Sequence, residues 1–351
     1  GQTLLSGFKR NQIGNDEIKW ETTTQTNLGL DFSFFNSSLY GSFDWYYKKT
    51  KDILVYMAGI AAMGEGSSQW INAGEMENRG VEFNVGYRNT TSFGLKYDFT
   101  GNISTYRNKI TKLPETVAAN GTFGGNGVKS VIGHPMGAQV GYVADGIFKS
   151  QEEIDNHAIQ EGAGLGRIRW KDLDGNKRIT EADQDWIYDP TPAFTYGFNI
   201  YLEYKNFDFT MFWQGVQGVD IISDLKRNTD ILTGTNVTNL NKGQRLLNAW
   251  SMTNQNSNIP ALTFNDNNNE KRVSTYWVED GSYLKLRTIQ LGYNLPKSFA
   301  SKLYMERLRM YLSAQNLLTI KSSDFTGVDP ENPNFGYPIP VNITFGINVT
   351  F

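Results

Sequence analysis

From Asn27 to Phe34 every even position is apolar and every odd position is polar or glycine, and this period of two returns along the whole chain. Leu39, Phe43, Trp45 and Tyr47 share one parity while Ser42, Asp44 and Tyr46 share the other. Val81, Phe83, Val85 and Tyr87 alternate with Glu82, Asn84, Gly86 and Arg88. Phe93, Leu95, Tyr97, Phe99 and Ile103 alternate with Lys96, Asp98, Thr100, Asn102 and Ser104. Further runs lie near 194–204, 207–214, 284–294, 306–316 and 341–351. Successive side chains of a strand point to opposite faces, so each run reads as a strand with one apolar and one polar face. About nine strands result, most near the ~9–11 residues that a tilted strand needs to cross a bilayer.

The links between the runs alternate between short and long. Short ones fall at Asn36–Ser38, Asn89–Ser92 and Lys205–Asn206, with a modest one at Leu295–Met305. Long ones fall at about 55–79, 106–192, 215–281 and 318–340. A soluble sandwich does not require that asymmetry, whereas an outer-membrane barrel has short periplasmic turns and long extracellular loops. The last run repeats the message: Val341, Ile343, Phe345, Ile347, Val349 and Phe351 share one face, and the sequence stops on an aromatic residue. The expected fold class is all-β, an antiparallel transmembrane β-barrel with long extracellular loops. Bacterial single-chain barrels close with even strand numbers, so nine strands are expected to pair with others that lie upstream.

Composition agrees with this reading and removes other classes. The 351 residues include 18 Tyr, 21 Phe, 8 Trp and 35 Gly, a mixture of strand formers and turn formers. Mean hydropathy is slightly negative, as it is for a barrel whose lumen-facing half is polar. A formal net charge of −3 with both signs interspersed offers no basic stripe for nucleic acid. No run approaches the ~18 consecutive apolar residues of a spanning helix. Cysteine is absent, which permits an envelope location without requiring it. The first residue is Gly1 and no leader segment follows it, so the chain is expected to begin inside a longer one or after processing.

Specific phrases add a resemblance. Trp20-Glu21 leading through Asn27 and Gly29 to Asp31, then Asn78-Arg79-Gly80-Val81-Glu82, resemble strand phrases of the SusC/RagA-type TonB-dependent transporters of Bacteroidota. So do Asp189-Pro190-Thr191-Pro192 with Tyr196-Gly197 and Asn206-Phe207-Asp208. The same holds for Glu279-Asp280-Gly281-Ser282-Tyr283-Leu284-Lys285-Leu286-Arg287, Ala314-Gln315-Asn316-Leu317 and Asp329-Pro330-Glu331. They occur in family order over nearly the whole chain. The resemblance implies that residues 1–351 are the C-terminal part of a roughly 22-stranded barrel. The plug domain, the first strands and the TonB-contacting segment would lie upstream. It further implies an outer-membrane importer of glycans or peptides without catalytic residues, energised through TonB and covered by a SusD-like lipoprotein lid. A non-transporting surface barrel or adhesin, and a soluble carbohydrate-binding β-protein, are the alternatives.

One loop motif suggests a cation. In Asp172-Leu173-Asp174-Gly175-Asn176-Lys177-Arg178-Ile179-Thr180-Glu181-Ala182-Asp183, Asp172, Asp174 and Asn176 occupy positions 1, 3 and 5 of an EF-hand-like loop. Arg178 offers a backbone carbonyl at position 7 and Asp183 the closing carboxylate at 12, an oxygen set suited to Ca²⁺. Lys177 replaces the usual Gly at the sharp turn, and Asp183 is shorter than the usual Glu; a solvated acidic turn is the plainer reading. Trp70, Trp170, Trp186, Trp250 and Trp277 fall in the expected long loops, where each could contact substrate or lid, or anchor its own loop. Trp20, Trp45 and Trp213 sit near strand ends, as an interfacial aromatic girdle requires. With two His and no Cys, a zinc site has no support. Ser150–His157 reads as a short capped helix, and the Asn-rich 254–269 as irregular loop.

Overall fold

The computed structural model describes residues 13–57, 68–118, 125–126, 129–231, 242–334 and 336–351. Nine long strands form one sheet: β1 (Thr22–Phe34), β2 (Leu39–Met57), β3 (Gln69–Thr90), β4 (Lys96–Lys112), β5 (Phe194–Tyr204), β6 (Phe207–Gln217), β7 (Tyr283–Asn294), β8 (Arg307–Lys321) and β9 (Asn342–Thr350). Their order in the sheet is their order in the sequence. Each strand therefore pairs with the next, and the ladders from β4 to β9 are antiparallel.

The register keeps like with like. Phe99 faces Ile200, Met211 faces Ile200 from the other side, and Met211 in turn faces Ile289. Leu312 faces Phe345, and Met310 faces Ile347. One sheet face is thus a continuous apolar wall, and its residues stay exposed: Phe345 and Ile343 are 65% and 70% accessible. The other face carries charge pairs, with Lys96 on Glu203 at 2.8 Å and Arg309 on Asp208 at 2.5 Å. Tyr40 donates to Asp98 at 3.0 Å on that face, and its ring fills the place beside Gly86, where a Cβ would lie 2.3 Å from it.

The short links are built from left-handed backbone: Phe35, Asn36 and Ser37 between β1 and β2, Gly94 before β4, and Lys205 between β5 and β6 all have positive φ. The expected short links therefore stand where the sequence puts them. The first long link differs. β2 runs to Met57 and β3 begins at Gln69, so much of the expected 55–79 loop is strand. At ~3.3 Å per residue these two strands far outreach a bilayer crossing. From Lys48 to Asp52 both faces of β2 are polar and from Ile53 to Met57 both are apolar, so no alternation marks its extension. Ion pairs line it instead, with Lys49 on Glu75 at 3.1 Å and Lys19 on Asp52 at 3.2 Å.

A second departure lies in β7. Its apolar parity changes from Leu284 and Leu286 to Ile289, Leu291 and Tyr293, and the ladders to both neighbours skip Arg287. This bulge admits one extra residue and keeps the apolar side chains on one face despite the change of parity.

Two compact units partition the chain. Gly1–Asn27, Tyr46–Gly80 and Arg107–Gln139 make the first, and Leu28–Trp45, Val81–Tyr106 and Val140–Phe351 the second. In the first, the turn Glu115–Ala118 buries Val117 and Ala118, and Ala118 accepts from the Val131 amide at 2.8 Å. The second holds the loop core described next. No helix among the described residues is long and apolar enough to cross a membrane.

Candidate functional site

Within the second unit, the described residues of the long links, 140–193 and 218–231 with 242–282, fold against each other. Ile147, Ile168, Trp170 and Trp250 form a buried cluster, with Tyr142, Ala144, Ile179, Ala261 and Tyr276 packed on it. Backbone polarity inside this core is answered by side chains. Gln160 donates to the Ile168 carbonyl at 2.8 Å and accepts from the Trp170 amide at 2.9 Å, while its amide also reaches Asn268 at 2.7 Å. Glu270, fully buried, accepts from the Ile168 amide at 3.0 Å and faces Arg167 at 3.5 Å. Burial pushes the Glu270 carboxyl upward, and the Arg167 charge opposes that. A buried carboxylate kept by one guanidinium and one amide ties the two links together at a point where either partner alone would be costly.

This packing decides where the expected tryptophans lie. Trp170 and Trp277 are fully buried, and Trp250 nearly so. Their rings sit in the loop interior and leave no open face for a ligand in this conformation; Trp277 donates to the Glu270 carbonyl at 3.1 Å. Trp186 is half-buried in the short strand Gln184–Tyr188. Trp70 belongs to β3 rather than a loop, 42% exposed and tilted on Tyr56 at 5.2 Å. The expected helix is present as Gln151–Asn156, with the Ser150 side chain accepting from the Glu153 amide at its start. Residues 254–269 form turns without regular structure.

The acidic loop closes as its spacing predicts. Carboxylate oxygens of Asp172, Asp174 and Asp183 lie within 4.8 Å of one another. Lys177 takes φ +63°, the left-handed conformation for which glycine is usual at that turn, and Gly175 takes +74°. Asp183, fully buried, accepts from the amides of Leu173 at 2.8 Å and Thr180 at 2.7 Å. Asp172 accepts from Gly175 and Lys177, both at 2.8 Å. Burial opposes ionisation of Asp172, but these amides outweigh it and hold its carboxyl below the usual range. At position 8 the Ile179 amide donates to the Ile159 carbonyl at 2.9 Å, docking the loop on a neighbouring segment. Asn176 Oδ1 is taken by the Arg178 amide at 2.7 Å.

A further constellation was invisible to residue spacing. Lys285 is 1% exposed, yet its Nζ lies 2.6 Å from Asp329 and 2.6 Å from Glu331. Arg287 bonds to Glu331 and also donates to Gln214 at 2.8 Å, while Tyr283 donates to Glu331 at 2.8 Å. Burial pushes the Glu331 carboxyl up, but its bonds from Arg287, Lys285 and Tyr283 prevail and hold it at about 2.

The model for the TonB dependent receptor-like β-barrel matches residues 2–240. The chain belongs to this family. TonB-dependent receptor P3 of Formosa agariphila is 36% identical over 100% of the chain and 36% of its own length. TonB-dependent receptor SusC of Bacteroides thetaiotaomicron is 27% identical, with 100% and 34% covered. Among solved structures, the RagAB peptide transporter superposes with a TM-score of 0.78 at 26% identity, covering 97% of this chain and 36% of that one. The chain thus spans about a third of the length of these relatives. Membership places the barrel in the outer membrane, with the apolar sheet face as its lipid face and the polar face as its lumen face.

Proposed function

We propose that this chain supplies barrel wall and extracellular loops to an outer-membrane importer that takes up glycans or peptides. The observation that carries this reading is the similarity to TonB-dependent receptors along the whole chain, together with one apolar and one polar sheet face. A similar solved structure is described as a peptide transporter, which supports the peptide class, while the glycan class rests on the resemblance read in the sequence. Uptake would draw on TonB, and a SusD-like lipoprotein would cover the extracellular mouth. The residues described act by binding, packing and electrostatics, with no catalytic role assigned to any of them.

The test is recovery of the full-length protein from its native membrane in detergent through a tag at the Phe351 end. The expected result is extraction from the outer-membrane fraction together with a lipoprotein. Recovery from the aqueous fraction, alone, would overturn the importer reading.

The reading extends to a cation in the acidic loop, with Asp172, Asp174, Asn176, the Arg178 carbonyl and Asp183 as ligands to Ca²⁺. Lys177 in the left-handed turn supports it, since the loop keeps the EF-hand-like bend without glycine. Binding would crosslink residues 172–183 and stabilise the loop core by about 2.7 kcal/mol at a hundredfold excess over Kd. Calorimetric titration of Ca²⁺ should show one site that Asp174→Asn weakens at least tenfold. Asp174 is a suitable probe because it is exposed and accepts from the backbone and side-chain amides of Asn176 at 3.0 and 2.8 Å, within the loop itself. No heat of binding at millimolar Ca²⁺ would remove the cation from the account.

A further inference from the structure

The last long link, 322–341, could extend away from the sheet or fold back over it. Asp329 and Glu331 decide which. Lys285 lies opposite Gln214 in the register and so belongs to the polar, lumen-facing side of β7. Both carboxylates reach its ammonium, so the Asp329–Glu331 segment lies on the lumen side of the wall. The bulge contributes directly: it inserts Arg287 between the two ladders and aims its guanidinium at Gln214 and Glu331. Two cations separated by one residue thereby converge on two carboxylates separated by one residue.

The same segment is held at further points. Thr326 donates through its amide at 3.1 Å and its hydroxyl at 2.7 Å to Glu279, which is buried and stands 3.7 Å from Lys226. Lys321 reaches the Gly327 carbonyl, Tyr283 holds Glu331, and Asn316 donates to the Pro340 carbonyl at 3.3 Å. The geometry points to a strap: residues 322–334 fold inward along the lumen wall and are latched there by Lys285 and Arg287 on Asp329 and Glu331. Exposed surface charge pairs contribute little, but an ammonium that is 1% exposed depends on its counter-charges, so Lys285 is the main anchor of the latch and Arg287 a second arm. Its release frees the segment between Ser322 and Asn334 and widens the lumen mouth beside β7 and β8. That consequence rests on the importer reading, while the latch itself rests on the barrel wall alone.

Hydrogen exchange on the full-length protein in lipid nanodiscs tests it. In the double variant Asp329→Asn/Glu331→Gln, amides of 323–334 should exchange at least tenfold faster, with those of β8 unchanged. Arg287→Gln, which removes one arm and leaves Lys285 paired, should give a smaller acceleration confined to the same segment. Unchanged exchange across 323–334 in both variants would overturn the strap. A general acceleration in β7 and β8 in the double variant would leave Arg287→Gln as the deciding measurement. Transport is not the readout, so failure of the importer reading and failure of the latch are told apart.

Discussion

Replacing Trp170 by alanine is expected to cost the loop core about 3–5 kcal/mol, the range for emptying a large aromatic site in a packed interior. Trp170 is fully buried against Ile147, Ile168 and Trp250. Its ring lies 6.0 Å from Tyr142, and the Arg272 guanidinium sits 5.3 Å above it. The residue also anchors the backbone, its carbonyl accepting from His157 Nε2 at 2.9 Å and its amide donating to Gln160 at 2.9 Å. The alanine variant keeps those backbone bonds but loses the wedge between the two links. Proteolysis or hydrogen exchange should therefore report opening of 140–188 and 243–280 together, while β5 to β9 remain protected by their own ladders. Trp170→Phe should cost less than about 1.5 kcal/mol, because most of the volume is kept. The indole Nε1 has no hydrogen-bond partner in the structure, so phenylalanine loses no bond there. Independent opening of only one link would contradict the shared core.

How much of this was legible in the sequence follows from the range of the interactions. Alternation is a local signal, and it marked all nine strands and their short links because lipid and lumen impose opposite polarity on neighbouring residues. It failed where that contrast ends. In β2, Lys48 to Asp52 are polar on both faces and Ile53 to Met57 apolar on both, so strand continued where the alternation stopped. It failed again at Arg287, where a bulge changes the parity and the run 284–294 only seems uniform. The loop core was illegible for a different reason. Gln160 meets Asn268 and Glu270 meets Arg167 across about a hundred residues of chain, and no periodicity announces such pairs. The sequence marked Trp170, Trp250 and Trp277 as unusual in loops and offered anchoring of their own loops as one reason, but not which side chains they pack on. The convergence of the acidic loop was readable because its carboxylates lie within twelve residues and local turns bring them together. The latch was half readable: Lys285-Leu286-Arg287 and Asp329-Pro330-Glu331 both stood out within phrases, but nothing in either showed that the two meet.

The central claim is that the apolar face of this sheet meets lipid. Phe345 and Thr344 are neighbours in β9 on opposite faces, and Phe345 is 65% exposed with Leu312 as its cross-strand partner. In water, an arginine at so exposed a site would change stability by no more than about 0.5 kcal/mol. At the midplane of a bilayer the same substitution costs about 2–4 kcal/mol, because hydrocarbon replaces the water that would solvate the guanidinium. The deciding measurement is reversible unfolding of the full-length protein in lipid bilayers, comparing Phe345→Arg with Thr344→Arg. The account predicts a loss of about 2–4 kcal/mol for the first and a much smaller change for the second, whose side chain faces the lumen. Equal effects at the two positions, or a Phe345→Arg protein as stable as its parent in the bilayer, would contradict it.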